Sequence, residues 1–175
     1  MNKSEKLLSE ISKSVQAGGG VFDTAELAYM LDETVTSGFR KLLTDCVKKG
    51  VVERVVQGIY ISKITPPDHA TILVQIAKKM RPHVFNYISL ESQLSHTGDI
   101  SQIVMDRLTI VTKGRKGTFG TVYGTIEFTH TKKAITQLEE QVYFDSEIKM
   151  FRANTALAFA DLKACGRNLH MLENQ

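Results

Sequence analysis

The chain lacks the features of a membrane or secreted protein. Among its 175 residues, no stretch approaches the roughly 20 apolar residues of a membrane helix. The polar N-terminus has no signal-peptide core, so we expect the protein to stay in the cytoplasm. Only two cysteines are present, Cys46 and Cys165, and their wide separation favours reduced thiols over a disulfide framework.

A large excess of one charge is also absent. The net charge of +3 is too small for a polycation, so any affinity for nucleic acid must come from local patches. The five histidines are scattered, and none is spaced with Cys, Asp or Glu as metal ligands are, so we expect no metal, cofactor or catalytic site. His96 and His130 are expected to orient a turn or a strand end rather than to act in catalysis.

Apolar periodicity predicts three helices in the first third of the chain. The first ends at Gly18–Gly20, and the second begins after Asp23, which is spaced with Glu26 as a capping box. The third runs from about Thr34 to Lys49. The apolar positions that define these helices are, in order, Leu7, Leu8, Ile11 and Val15; Leu27, Met30 and Leu31; and Val35, Phe39, Leu42, Leu43, Cys46 and Val47.

A β-hairpin is predicted directly after the third helix. Gly50 is placed to end that helix in a left-handed cap, and the β-rich run from Val51 to Ile61 is interrupted by Gln57-Gly58. Helix, turn, helix and hairpin in this order predict a winged helix-turn-helix domain over residues 1–63 that binds duplex DNA.

The predicted third helix has an outer face suited to a DNA groove. Hydroxyl donors lie near its N-terminus, followed by cations that can reach base edges or phosphates. A solvated cationic surface is the alternative interpretation. The candidate DNA-binding residues are Thr36, Ser37, Arg40, Lys41, Thr44 and Lys48 on the helix, and Arg54 and Gln57 on or near the tip of the hairpin, where they would contact the backbone or the adjacent minor groove.

The remainder of the chain is predicted to form a small mixed α+β domain over residues 68–175. The prolines in Thr65–Asp68 predict an extended linker before it. Helices are predicted at about Asp68–Lys79, with Ile72, Leu73, Ile76 and Met80 inward, at Leu90–Ser95, capped by Ser89, and at Asn154–Leu172; strands are predicted at Arg107–Thr112, Gly117–Tyr123 and Thr125–Thr131, and at either Gln141–Phe144 or Glu147–Phe151.

A second basic cluster contains Lys113, Arg115 and Lys116. The glycines around it, at positions 114, 117, 120 and 124, lack the Gly-Lys-Ser/Thr ending of a phosphate loop and are interpreted as hairpin turns. The three cations are candidates for contact with a DNA backbone or with an acidic or RNA partner, although a solvated hairpin is the simpler interpretation.

Three runs in the second half, Tyr87–His96, Leu108–Arg115 and Gly124–His130, resemble the core of AbiEi-type antitoxins. These are the transcriptional-regulator partners in type IV toxin–antitoxin systems of abortive infection. The segment Lys48–Tyr60 is similar to the same family's N-terminal domain. The resemblance implies a winged helix that represses its own operon by binding inverted repeats, and a second domain that counters a nucleotidyltransferase-like toxin without a stable complex.

The sequence therefore predicts a cytoplasmic repressor and antitoxin that is not an enzyme. One alternative is a winged-helix repressor, unrelated to a toxin, whose second domain senses a small ligand. Another is a nucleic-acid-processing enzyme that uses the basic strands as its substrate platform. The lack of a recognisable metal or nucleophile constellation argues against the enzyme.

Overall fold

The computed structural model describes residues 1–101 and 106–166. Over those ranges the protein is a mixed α+β fold with seven α-helices and two β-sheets, which confirms the predicted fold class at that level. The chain divides into two compact units, Met1–Met80 and Arg81–Gln175. Within the described ranges, no helix is long and apolar enough to cross a membrane.

The first unit combines four helices with a three-stranded sheet. The strand order is β1-β3-β2, and β3 pairs antiparallel with both neighbours. The predicted helices and hairpin are confirmed, although α3 begins later than expected, and the short strand β1 is an addition to the prediction. The elements are α1 (Lys3–Gln16), β1 (Val21–Asp23), α2 (Thr24–Met30), α3 (Ser37–Lys48), β2 (Val52–Val56), β3 (Ile59–Ser62) and α4 (Ile72–Met80).

The core of the first unit is built from the predicted apolar stripes. On α3 the stripe is confirmed for Phe39, Leu43 and Cys46, which are almost fully buried, whereas Val47 is 36% exposed. Burial of each large apolar side chain contributes about 1.5–3 kcal/mol, so this face fixes the orientation of α3. Other buried members of the cluster are Leu7, Ile11, Phe22, Leu27, Ala28, Leu31, Val51 and Val52.

Local hydrogen bonds set the start and end of α2. The predicted capping box is confirmed, since Asp23 and Glu26 each accept the other's backbone N–H at 2.8 Å. At the other end, Asp32 takes a left-handed conformation with φ of 55°, and the Glu33 N–H donates to the Ala28 carbonyl at 3.0 Å. This turn closes α2 and directs the chain toward α3.

Both ends of α3 are also capped. The Thr36 hydroxyl accepts the Phe39 N–H at 3.1 Å, which satisfies one of the free donors of the first turn. Gly50 has φ of 75°, and the Val51 N–H donates to the Cys46 carbonyl at 3.0 Å, so the predicted left-handed glycine cap is confirmed.

Helix α4 starts later than the expected Asp68 and spans Ile72–Met80. Ile72 and Ile76 are buried as expected, together with Val74 and Ala77, whereas Leu73 and Met80 are only half-buried. The helix contacts β1 and β3, which makes it part of the first unit.

The second unit is built on a six-stranded sheet with strand order β6-β7-β5-β4-β9-β8. Helices α5 and α7 pack against one face of it around the buried side chain of Tyr87. Leu90, the first residue of α5, is completely buried and has φ of 59°. The elements are β4 (Asn86–Ile88), α5 (Leu90–Thr97), β5 (Arg107–Thr112), β6 (Gly117–Thr121), β7 (Gly124–His130), α6 (Ile135–Leu138), the 3-10 turn Glu139–Gln141, β8 (Val142–Asp145), β9 (Met150–Ala153) and α7 (Thr155–Ala164).

The predicted hairpin at residues 113–116 is wrong. Strand β5 pairs in parallel with β7, and β6 pairs antiparallel with β7, so residues 113–116 pass the end of β7 and connect strands that are not neighbours. A β-rich pattern predicts strands but not their partners, which explains the error. The two candidate strands near residues 141–151 both exist, as the antiparallel pair β8 and β9. Residues 167–172 of the predicted last helix lie outside the described residues.

Candidate nucleic-acid interface

The outer face of α3 presents its candidate residues to solvent. Because Phe39, Leu43 and Cys46 bury the opposite face, the helical period turns the polar residues outward. All six candidates on and next to this helix are exposed: Thr36, Ser37, Arg40, Lys41, Thr44 and Lys48.

The hydroxyl groups on this face differ in their availability. Thr36 uses its oxygen to cap α3 and keeps its proton as a donor. Thr44 donates its proton to the Arg40 carbonyl at 3.1 Å and keeps its oxygen as an acceptor. Ser37 makes no side-chain hydrogen bond to any residue that the structure describes. The face therefore offers both donors and acceptors at the N-terminal half of α3.

The cations of α3 and the hairpin are not paired with carboxylates. Arg40, Lys41, Lys48 and Arg54 form no hydrogen bond or ion pair through their side chains with any other residue in the described ranges. The acidic residue on this helix, Asp45, is half-buried. Unneutralised cations on the outer face of α3 produce a local positive potential despite the small net charge of the chain.

Four other lysines of the first unit are paired with carboxylates. The Lys6 ammonium lies 3.4 Å from the Asp32 carboxylate, and the Lys13 ammonium lies 2.8 Å from that of Glu10. Further ion pairs join Lys3 to Glu33 and Lys79 to Glu26. Lack of a partner among the described residues is therefore not general to the lysines of this unit.

The hairpin places one candidate at its tip and one on its strand. Gln57 is exposed in the turn with Gly58, whose φ is 77°. Arg54 is exposed on β2 opposite Tyr60. The turn is anchored to the start of α2, because the Gly58 carbonyl accepts the backbone N–H of Thr24 at 3.1 Å.

Tyr29 is a surface residue that is absent from the sequence-based candidates. It lies on α2 next to the turn that leads to α3, and it is 82% exposed. A tyrosine hydroxyl is one of the side-chain groups that contact DNA phosphates. Its position outside the stripe of Leu27, Met30 and Leu31 is the signal that predicts its exposure.

The basic cluster of the second unit is only partly at the surface. Arg115 and Lys116 are exposed, whereas the Lys113 ammonium donates to the carbonyls of Thr131 at 3.2 Å and Lys133 at 2.7 Å. The loop also contacts β7, because a ring nitrogen of His130 lies 2.7 Å from the Gly114 carbonyl. This contact is of the kind expected for a histidine that orients a turn.

A buried polar cluster lies between β4 and α7. Asp161 Oδ2 accepts the Tyr87 hydroxyl proton at 2.9 Å and the Ser89 hydroxyl proton at 2.6 Å. Ser89 occupies the N-cap position of α5, but it does not cap the helix with its side chain as predicted. The Lys133 ammonium is 3.9 Å from the other carboxylate oxygen.

Burial controls the protonation of this cluster. Desolvation raises the pKa of Asp161, although the hydrogen bonds from Ser89 and Tyr87 and the charge of Lys133 act in the opposite direction. Burial and the neighbouring Asp161 also raise the pKa of the Tyr87 hydroxyl. Ser89 and Tyr87 are fully buried, so these groups stabilise the second unit rather than face a ligand.

Neither a search for metal-binding groups nor comparison with known proteins assigns a function to any residue of the chain. No group of three or more His, Cys, Asp or Glu side chains that could hold a metal ion occurs in the parts of the chain that the structure describes. No protein-family model matches the chain, and comparison with curated proteins gives no significant match.

Proposed function

We propose that the first unit is a winged helix-turn-helix domain that binds duplex operator DNA, with α3 as the recognition helix. Its element order, α1-β1-α2-α3-β2-β3, and its sheet order, β1-β3-β2, support the proposal, because they place a hairpin directly after two consecutive helices. The observation that carries the proposal is the exposed face of α3, whose cations lack partners among the described residues while lysines of α1 are paired.

The dimensions of α3 suit this role. Its 12 residues make a helix of about 18 Å, and the major groove of B-DNA, about 12 Å wide, admits one α-helix. Ser37, Arg40, Lys41 and Thr44 would then contact base edges or nearby phosphates. Lys48, at the C-terminal end, would contact the backbone, as would Thr36 at the start of the helix.

The hairpin β2–β3 would act as the wing. Arg54 and Gln57 would contact the DNA backbone or the minor groove next to the major groove that holds α3. The hydrogen bond between Gly58 and Thr24 fixes the turn relative to α2, which reduces the entropy cost when the wing binds.

We further propose that the operator belongs to the protein's own toxin–antitoxin operon, and that the protein is a cytoplasmic antitoxin. This part of the proposal rests on the motifs Tyr87–His96, Leu108–Arg115 and Gly124–His130. The operator would contain inverted repeats, and the toxin would be a nucleotidyltransferase-like protein that is neutralised without a stable complex. Cells that express such a protein, encoded next to this gene, should stop growing, and co-expression of this chain should restore their growth. Continued growth arrest would contradict the antitoxin role.

Exchange of the α3 cations tests the DNA-binding role. Replacement of Arg40 and Lys41 with alanine should cost about 1–3 kcal/mol of binding free energy for each base that these side chains read. If both side chains bind phosphates instead, the slope of log affinity against log salt should decrease by about 0.9 per phosphate. Titration of the chain's own promoter fragment by fluorescence anisotropy at several salt concentrations would measure both quantities.

A matched variant controls for net charge. Replacement of Lys6 and Lys13 with alanine removes the same charge from α1, where both lysines are paired with carboxylates. We expect this variant to bind the promoter as the unaltered protein does. An equal reduction of affinity in the two variants, with unchanged urea stability in both, would contradict the assignment of α3.

A further inference from the structure

The second unit contains a cationic groove that has no part in the proposed contacts of α3 with DNA. The groove has a volume of about 960 Å³ and lies between residues 113–118 and residues 127–130 of β7. We name it the β7 groove. All of its lining residues belong to the second unit.

The backbone of the loop that forms one wall is held in place. The Arg81 guanidinium donates to the Arg115 carbonyl from Nε at 3.2 Å and from Nη2 at 3.1 Å. His130 contacts the Gly114 carbonyl from the β7 side. A Cβ atom at Gly117 would lie 2.9 Å from the ring of Phe119, so a larger residue there would displace that ring. A wall that is ordered before binding loses little entropy when a ligand arrives.

The charge of the groove is strongly positive. Arg115 and Lys116 are exposed, and their side chains have no partner in the described ranges. Lys113 is bonded to neutral carbonyl groups, so its charge is not cancelled. The one acidic side chain in the described lining, Glu127, accepts a hydrogen bond at 2.7 Å from Arg107.

The cations also affect each other. Burial and the nearby charge of Arg115 lower the pKa of the Arg81 guanidinium. An anion placed in the β7 groove would relieve this repulsion. The charge and the geometry of the lining therefore favour a ligand with several negative charges.

The chemistry of the lining fits phosphate oxygens. Arg115 and Lys116 supply cationic donors, and Thr118 and Thr129 supply hydroxyl groups. Both kinds of donor contact nucleic-acid backbones in proteins. Carboxylates of an acidic peptide lack the regular phosphate spacing that a nucleic-acid strand provides.

The aromatic rings near the groove are not available for base stacking. Arg81 covers the ring of Phe128 at 4.5 Å from its centroid and that of Phe119 at 5.6 Å. Phe128 is buried and Phe119 is half-buried. Recognition of single-stranded bases normally uses exposed aromatic rings, so the groove is suited to a backbone and not to particular bases.

We propose that the β7 groove binds the phosphodiester backbone of a nucleic-acid strand without base specificity. Phosphates of the strand contact Arg115 and Lys116, and the hydroxyl groups of Thr118 and Thr129 complete the site. This second site does not depend on the proposed role of α3.

The test uses the full chain carrying Arg40→Ala and Lys41→Ala, so that the face of α3 contributes little. A labelled thymidine homopolymer is titrated against this protein and against the same protein with Arg115→Gln and Lys116→Gln. Removal of two phosphate-binding cations should lower the salt slope by about 1.4, or 0.7 per cation. The backbone carbonyl that accepts from Arg81 is retained in the variant, and equal urea midpoints would verify its fold.

A control and two competitors make the outcome decisive. Lys149→Gln with Lys163→Gln removes the same charge from exposed positions of the second unit outside the groove, and should leave the salt slope unchanged. Equal slopes for the two double variants would overturn the proposal. So would displacement of the homopolymer by inorganic triphosphate or by polyglutamate at the same concentration of charge, since the ligand would then be a small polyphosphate or an acidic protein.

Amide chemical shifts provide a measurement that does not depend on affinity. Addition of the homopolymer should move the signals of Gly114, Gly117 and Thr118, and should not move those of residues on α7. Shifts confined to other parts of the second unit would overturn the assignment even if binding is observed.

Discussion

The outer face of α3 and the buried interior of the second unit hold their charged side chains in opposite ways. In the first unit, Arg40 and Lys41 extend into solvent and have no partner in the part of the chain that the structure describes. In the second unit, Arg152 and Asp161 are buried and hydrogen-bonded. An exposed charge without a partner costs the fold little and is available to a ligand, whereas a buried charge must be compensated inside the protein. Substitutions on the α3 face and among the buried charges of the second unit should therefore affect different measurements.

Removal of the Arg152 side chain should have the largest effect on stability. Its Nε donates to Asp145 Oδ2 at 2.7 Å, and its Nη1 donates to the Oε1 of buried Gln93 at 3.0 Å. Arg152→Ala leaves both acceptors without this donor and should lower the free energy of unfolding by about 3 kcal/mol. Urea denaturation would measure the change, while promoter binding below the unfolding transition should be unaffected. A decrease in the free energy of unfolding of less than about 0.5 kcal/mol is typical of surface positions, and would contradict the difference between Arg152 and the exposed cations of α3.

A carboxylate introduced on α3 should weaken promoter binding and leave the stability of the fold nearly unchanged. Thr44→Glu places a negative charge one helical turn from Arg40 and Lys41, where it can pair with them and repel phosphates. We expect promoter affinity to fall roughly tenfold, about 1.4 kcal/mol, with the free energy of unfolding changed by no more than about 0.5 kcal/mol. Anisotropy and urea denaturation measure the two effects separately.

Ser12→Glu is the matched control for that substitution. Ser12 is exposed on α1 and donates to the Leu8 carbonyl at 2.9 Å, just as Thr44 donates to the Arg40 carbonyl. The substitution therefore introduces the same charge on α1, at a position whose side chain makes the same hydrogen bond to the carbonyl four residues earlier. An equal decrease of affinity from the two substitutions would show that total charge, and not the face of α3, governs binding.

The smallest expected effect is in the pH dependence of stability. Because the pKa of Asp161 is raised in the folded state, that state binds more protons than the unfolded chain above the ordinary aspartate range. The contribution of Asp161 is therefore greatest at low pH and is lost as pH rises through the raised pKa. Asp161→Asn should remove this part of the slope of unfolding free energy against pH, measured by urea denaturation at a series of pH values.

Asp145 provides a comparison of opposite sign. The hydrogen bond from Arg152 is the main cause that lowers the pKa of Asp145, so its contribution is present above the ordinary aspartate range and is lost as pH falls through the lowered pKa. Asp145→Asn should make the free energy of unfolding depend less on pH on the acid side of the pH profile. Asp161→Asn should change the slope of that profile in the opposite direction. Profiles that change in the same direction in both variants would contradict the assigned environments.

Local features of the fold could be predicted from the sequence because their causes lie within a few residues. The capping box of Asp23 and Glu26, the glycine cap at Gly50 and the buried stripe of α3 depend on spacing alone. Strand β1 is missing from the prediction because only three residues form it, and its pairing of Phe22 with Tyr60 joins distant parts of the chain. The connection at residues 113–116 is mispredicted for the same reason.

The candidate interface was predictable only in part. Helical periodicity indicates that Arg40 and Lys41 face solvent, but it does not indicate whether a carboxylate lies beside them. Pairs such as Lys6 with Asp32 join α1 to the turn after α2, so they follow from tertiary structure. For Lys113, no local pattern indicates that its ammonium binds backbone carbonyls, because those carbonyls belong to residues 131 and 133, beyond β7.

Position 90 of the second unit should tolerate few residues other than leucine. The left-handed backbone of Leu90, with φ of 59°, costs a residue with a Cβ atom about 1–3 kcal/mol, and glycine would remove that cost. Its fully buried side chain fills core space, however, and a truncated side chain there would cost about 2–5 kcal/mol. No amino acid meets both demands, so in a saturation mutagenesis library we expect position 90 to accept few replacements, whereas exposed Ser37 should accept most of them without loss of folding.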